Sequence, residues 1–151
     1  FLVNDHAGLA RAVVADGVHI GQEDAPLAEA RAALGPEAII GVSCHASRHL
    51  AMEAAEAGAD YITFGAFYPT TSKTREAQAY WGQPGPELLR WWSTYTTVPC
   101  VAIGGITIAN APPLIEGGAD FLAVITAIWD HPEGAVAAVE GFRPLLALKP
   151  G

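Results

Sequence analysis

The sequence predicts an α/β protein, a parallel (β/α)8 barrel of the TIM type whose N-terminal one or two βα units are expected to be missing from this chain. Three observations carry that expectation. Segments "VVADGVHIGQ" from Val13, "EAGADYITFGAF" from Glu56 and "EGGADFLAVITAI" from Glu116 each place a small residue and an aspartate before an apolar, β-type run. Repetition of this kind marks a stacked or closed array of similar units. The apolar runs are nearly continuous rather than alternating, as in parallel strands covered on both faces. Helix-forming stretches fill the gaps, so the order is strictly βαβα.

In chain order, "FLVND" at 1–5 opens as a strand and His6 to Val14 reads as a helix. The apolar run after Asp16 in "VVADGVHIGQ" is the second strand, followed by a helix over Leu27 to Leu34 and a strand in "AIIGVS" at 38–43. The next helix, Ser47 to Ala57, divides into a small apolar face with Ala51, Ala54 and Ala55 and a polar one with Glu53 and Glu56, as expected of a helix lying on a sheet. "ADYITFGAF" is the fourth strand, and Phe67 to Pro84 is a long polar loop, a type usually functional or disordered. A helix over Pro86 to Tyr95, a strand in "VPCVAIGGI" at 98–106, a helix over Ile108 to Glu116, the strand "ADFLAVI" and a helix over Glu133 to Leu146 complete the chain. Gly35, Gly58 and Gly117 or Gly118 stand where helices stop in a left-handed turn.

Six such units fit either a barrel or a doubly wound sheet, and the barrel is preferred. A closed barrel needs eight strands and about 200 or more residues. The expectation is therefore one partial barrel domain over residues 1–151, cut from a longer sequence.

Sixteen acidic residues against eight basic ones give a net charge of −8, the wrong sign for holding nucleic acid through its phosphates. No apolar run reaches the roughly 18 to 20 uncharged residues of a membrane helix. Cys44 and Cys100 match no metal-ligand spacing and read as reduced, buried thiols of a cytoplasmic enzyme.

In such barrels the C-terminal ends of the strands line the site. Those positions hold Asn4 and Asp5, then Gln22 to Asp24, Ser43 and His45, Thr70 to Lys73, Gly104 and Gly105, and Thr126. Asp5 and Asp24 offer the carboxylate oxygens Mg²⁺ prefers, or they cap the following helices. Gly104 and Gly105 either let backbone N–H groups approach a phosphate or make a tight turn. Thr70, Ser72 and Lys73 suit phosphate oxygens, although a lone lysine is more often solvated surface. His19, inside an apolar strand, reads as a hydrogen-bonded interior histidine, while His49 and His131 read as surface. Trp81, Trp91 and Trp92 are expected to cover the exterior or a subunit contact.

Taken together, "VND" at 3–5, "DGVHIGQED" at 16–24, "GVSCH" at 41–45, "ADYITFGAFYPTTSK" at 59–73, "PCVAIGGI" at 99–106 and "AVITAI" at 123–128 resemble successive motifs of the thiamine phosphate synthase family. The resemblance implies a transferase that joins 4-amino-2-methyl-5-hydroxymethylpyrimidine diphosphate to 4-methyl-5-(2-hydroxyethyl)thiazole phosphate, giving thiamine phosphate and diphosphate. It implies Mg²⁺ on Asp5 and Asp24, and Asn4, Ser43 and Lys73 on the pyrimidine diphosphate, with Lys73 and Ser43 as catalytic residues. Thr70, Thr71, Ser72, Gly105, Ile125 and Thr126 would bind the thiazole phosphate, with Gly104 a further substrate-binding position. Ser72 stands where the family often has threonine and Thr126 where it often has serine. The family's upstream QxRxK-type segment is not in this chain. The partners implied are small phosphorylated molecules, with no nucleic acid or membrane, and a homo-oligomer is left open. Two alternatives remain: a thiazole tautomerase-like isomerase, whose histidine stands at the position of His45, and a non-catalytic barrel that binds thiamine precursors.

Overall fold

The computed structural model describes residues 1–70, 80 and 82–147. Its strands are β1 (Leu2–Asn4), β2 (Gly17–Ile20), β3 (Ile39–His45), β4 (Tyr61–Gly65), β5 (Cys100–Ile103) and β6 (Phe121–Ala123). All pair in parallel, and their order in space is their order along the chain. A doubly wound sheet reverses its strand order part-way; no reversal occurs here. Parallel crossovers share one hand, so a sequential order keeps the helices on one face. The result is a half-barrel with a helix-covered convex side and a concave inner side. A closed eight-stranded barrel is not reached among the described residues.

The described helices are α1 (Ala7–Ala12), α2 (Leu27–Leu34), α3 (Arg48–Glu56), α4 (Pro86–Tyr95), α5 (Pro112–Glu116), α6 (Thr126–Trp129) and α7 (Gly134–Leu146). Side chains alternate strictly across the sheet. Val18, Ile20, Ile40, Val42, Cys44, Ile62, Phe64, Cys100 and Ala102 are buried toward the helices. They meet Ala10, Ala30, Ala51 and Ala54, whose small size lets the first three helices lie close to the sheet. Trp92 is a core residue, 1% exposed, set edge-on to Phe64 with its indole N–H donating to the Val98 carbonyl at 2.7 Å. That corrects the expectation that Trp92 covers the exterior; Trp91 beside it is half-buried, with the Arg48 guanidinium over its ring, and Trp81 lies outside the described residues.

The inner face also corrects the sequence reading. Ile39, Ile103 and Phe121 point inward and remain 42%, 37% and 60% exposed, because no opposing strands cover them. The apolar composition was that of strands covered on both faces, and only the convex face is covered here.

The repeated aspartates have a shared role at the N-terminal ends of the strands. Asp60 Oδ2 accepts from the Ile40 N–H at 2.8 Å, and Asp120 Oδ2 accepts from the Cys100 N–H at 2.9 Å. The Asp60 and Asp120 N–H groups in turn donate to the carbonyls of Ile40 and Cys100. Each aspartate thus staples the start of its own strand to the one before. Asp16 occupies the matching place beside Phe1, its N–H donating to the Phe1 carbonyl at 3.0 Å.

Two elements differ from expectation. The helix read over Ile108 to Glu116 is confined to Pro112–Glu116, since Thr107 and Asn110 exchange side-chain and backbone hydrogen bonds in a turn and prolines occupy the first helical positions. The short helix α6 was not anticipated: Thr126 begins it instead of ending a strand.

Candidate active site

A hollow of about 370 Å³ opens at the C-terminal ends of β3 to β6. It is lined by Ser43 and His45 from β3, Thr63 and Gly65 from β4, Thr70 from the following loop, Gly104 and Gly105 after β5, and Ile125 and Thr126 after β6, among others. Of the predicted site residues, Ser43, Thr70, Gly104, Gly105, Ile125 and Thr126 are thereby brought together. Asn4, Asp5 and Asp24 stand at the ends of the neighbouring strands β1 and β2 and do not line this hollow. Thr71, Ser72 and Lys73 fall outside the described residues.

The wall is built by close backbone packing. The Phe67 and Tyr68 N–H groups donate to the carbonyls of Ile103 and Gly104 at 3.1 Å each, laying the start of the long loop onto the end of β5. Tyr68 Oη donates to the Asn110 carbonyl at 2.7 Å, and Gln83 Nε2 to the Phe67 carbonyl at 2.6 Å, which ties down both ends of that loop. Gly104 and Gly105 have φ of +98° and +61°, and a Cβ on either would come within 2.4 Å of Ala66 or Pro69. The glycine pair is therefore required by the turn and by the approach of the β4 loop, and it also forms one wall of the hollow.

Among the described residues, no Asp, Glu, Lys or Arg lines it. An anionic ligand here must be met by backbone amides, hydroxyls and charges brought from the rim. His45, in the left-handed region at φ +52° and only 8% exposed, faces the hollow; its sequence signal was its place two residues after Ser43.

At the β1 and β2 ends, Asp5 also sits in the left-handed region, at φ +67°, with its N–H donating to the His19 carbonyl. Asp24 Oδ2 accepts from the Gly21 N–H at 2.6 Å, closing the turn after β2. Gln22 Nε2 donates to the Ser43 carbonyl at 2.5 Å, fastening this turn to the end of β3. The two carboxylates, on adjacent strand ends, are an all-oxygen donor set of the kind Mg²⁺ takes together with substrate phosphate. No group of three or more His, Cys, Asp or Glu suited to a metal occurs among the described residues.

Below the hollow lies a hydrogen-bonded cluster that sequence reading caught only in part. His19 Nδ1 lies 3.0 Å from Tyr61 Oη, and its Nε2 lies 2.9 Å from Ser43 Oγ. Thr63 Oγ1 donates to Ser43 Oγ at 3.5 Å. His19 is thus a hydrogen-bonded interior histidine, as expected, but Tyr61 was not singled out. Burial raises the Tyr61 phenol above its ordinary value.

A sequential parallel βα half-barrel with a glycine-walled, hydroxyl-bearing hollow at its C-terminal rim defines the class: α/β barrel-type proteins whose sites lie at the C-terminal ends of the strands. The family model described as thiamine monophosphate synthase matches residues 1–128. A curated thiamine-phosphate synthase of Rhodospirillum centenum is 53% identical over 97% of this chain and 68% of its own length. That of Erythrobacter litoralis is 57% identical over 97% of this chain and 67% of its own. The solved thiamine phosphate pyrophosphorylase from Pyrococcus furiosus is 36% identical and superposes with a TM-score of 0.81 over 100% of this chain and 69% of that one. The chain belongs to the thiamine monophosphate synthase family, and it spans about two thirds of the length of these relatives.

Proposed function

We propose that this chain belongs to a thiamine-phosphate synthase, a transferase that joins a pyrimidine diphosphate to a thiazole phosphate and releases diphosphate. The observation that supports it most is the convergence of Ser43, Thr70, Gly104, Gly105, Ile125 and Thr126 on one hollow beside the Asp5 and Asp24 strand ends. Curated relatives about half identical to this chain carry that name.

In this reading the hollow takes the thiazole phosphate, with Thr70, Thr71, Ser72, Gly104, Gly105, Ile125 and Thr126 around its phosphate, and Asn4, Ser43 and Lys73 hold the pyrimidine diphosphate. The reaction is a substitution in which the bond from the pyrimidine methylene carbon to the diphosphate oxygen breaks. The electron pair leaves with diphosphate, and the thiazole nitrogen supplies the pair for the new C–N bond. The chain's residues orient the two reactants and donate hydrogen bonds to the departing oxygens. Asp5 and Asp24 would hold Mg²⁺, which when bound supplies positive charge to the diphosphate. Asp24 uses one oxygen on Gly21, and a carboxylate has a second to offer.

The test is to incubate the full-length protein with both precursors and follow thiamine phosphate. Product should form with a divalent cation and stop in excess EDTA, and undiminished turnover in EDTA overturns the metal assignment. His45 in the hollow favours a second reading, isomerisation of a thiazole phosphate. Conversion of a thiazole phosphate tautomer without any pyrimidine diphosphate would establish it.

A further inference from the structure

We propose that Tyr61 and His19 are positioning residues that hold the Ser43 hydroxyl as a hydrogen-bond donor aimed into the hollow, a proposal that rests on the reading of Ser43 as a substrate contact. The starting point is register. His19 on β2 pairs with Gly41 on β3, and Gly41 pairs with Tyr61 on β4, so the three residues share one level of the inner face. A Cβ on Gly41 would stand 1.9 Å from the Tyr61 ring carbon Cζ. The missing side chain is thus the space through which the Tyr61 ring crosses a whole strand to stack on His19, with centroids 5.6 Å apart and planes 21° off parallel.

That crossing fixes the direction of each hydrogen bond. A neutral imidazole donates from one nitrogen and accepts at the other. A phenol is the stronger donor of the Tyr61–His19 pair and an unprotonated imidazole nitrogen the stronger acceptor, so Tyr61 Oη donates to His19 Nδ1 across the 3.0 Å contact. His19 then carries its proton on Nε2 and donates to Ser43 Oγ at 2.9 Å. Thr63 Oγ1 stands 3.5 Å from the same oxygen, a long contact between two hydroxyls. A serine oxygen accepts two hydrogen bonds and donates one. With the His19 N–H on that oxygen, the Ser43 hydrogen does not turn back to His19 and is free to meet an anionic or lone-pair acceptor in the hollow that Ser43 lines. The opposite tautomer would draw that hydrogen back to His19 and leave Ser43 with only an acceptor to offer an anion.

The discriminating substitution is Tyr61→Phe, which keeps the stacked ring and removes the donor. In the ¹⁵N-histidine-labelled chain, imidazole nitrogen shifts should show His19 as the Nε2–H tautomer, and Tyr61→Phe should turn it into a mixture. Gly41→Ala, which displaces the ring, should do the same. In turnover, Tyr61→Phe should lower kcat on the order of tenfold and leave KM for the thiazole phosphate unchanged, as for the weakening of one donor to developing charge. His19→Gln, which keeps an N–H donor near the position of Nε2, should retain more kcat than His19→Leu. An Nδ1–H tautomer in the unsubstituted chain, or an unchanged tautomer and kcat in Tyr61→Phe, overturns the proposal. The tautomer is read without turnover. A chain that makes no thiamine phosphate while holding the Nε2–H form therefore counts against the functional reading and supports the relay.

Discussion

Neighbouring residues of β3 face opposite worlds. Ser43 and His45 look into the hollow, while Cys44 between them points at the helices with no exposed surface and its thiol near the Val42 carbonyl. Burial without a cation alongside raises the Cys44 pKa from 9.0 to about 12. The linkage has a definite sign. Below pH 9 both folded and unfolded chains keep the proton and the thiol contributes no slope; between pH 9 and about 12 only the unfolded chain releases it. Stability should therefore fall with rising pH across that window by about 1.4 kcal/mol per pH unit from this group. Denaturant titrations from pH 8 to 10.5 on the native chain and on Cys44→Ala measure it. The substitution should remove that part of the slope, and parallel curves would show that the thiol titrates as freely when folded as when unfolded.

At the scale of elements, the aspartate that precedes β2, β4 and β6 separates stability from chemistry. Asp60 and Asp120 bond backbone N–H groups at the strand starts, the far end of the sheet from the hollow. Asp120→Ala should cost about 1–3 kcal/mol, the cost of leaving the Cys100 N–H without its carboxylate. The loss should appear as a lower denaturant midpoint at unchanged slope, with ligand affinity at the rim unaltered; lost affinity at full stability would place this aspartate in the site. The sequence displayed the repeat plainly, and with it the order of strands and helices, because parallel βα units write themselves as apolar runs between small-residue helices. What each repeated aspartate bonds was not legible, since its partner lies twenty residues away on another strand. The rim residues Ser43, Thr70, Gly104 and Gly105 could be found from their place after apolar runs. Tyr61 could not, because a tyrosine opening such a run reads as an ordinary strand former; the only signal was the glycine at position 41, which acquires meaning once the register sets it opposite. Helix α6 was hidden for a similar reason: four residues following an apolar strand continue its composition.

For the whole molecule, the open question is what six sequential strands do with two edges. Among the described residues β1 and β6 each pair on one side only, leaving a row of backbone donors and acceptors at each end of the sheet. The inner face adds apolar surface at Leu2, Ile39, Ile103 and Phe121 around a hollow of about 510 Å³. A second groove of about 610 Å³ runs along β6 between α5 and α7, lined by Leu122, Phe142 and Leu146 among others. Unpaired edges and bare apolar faces are templates for association, and closing a sheet of this curvature takes about eight strands. The 151-residue chain alone should therefore self-associate, and a version extended upstream by about two βα units should be monodisperse. The same extension should add contacts to the pyrimidine diphosphate, so activity should rise together with closure. Light scattering and thiamine phosphate formation on the two versions, side by side, test both halves of this argument. A monodisperse, fully active 151-residue monomer would mean that the half-barrel is sufficient, and that neither further strands nor their contacts are needed for the chemistry.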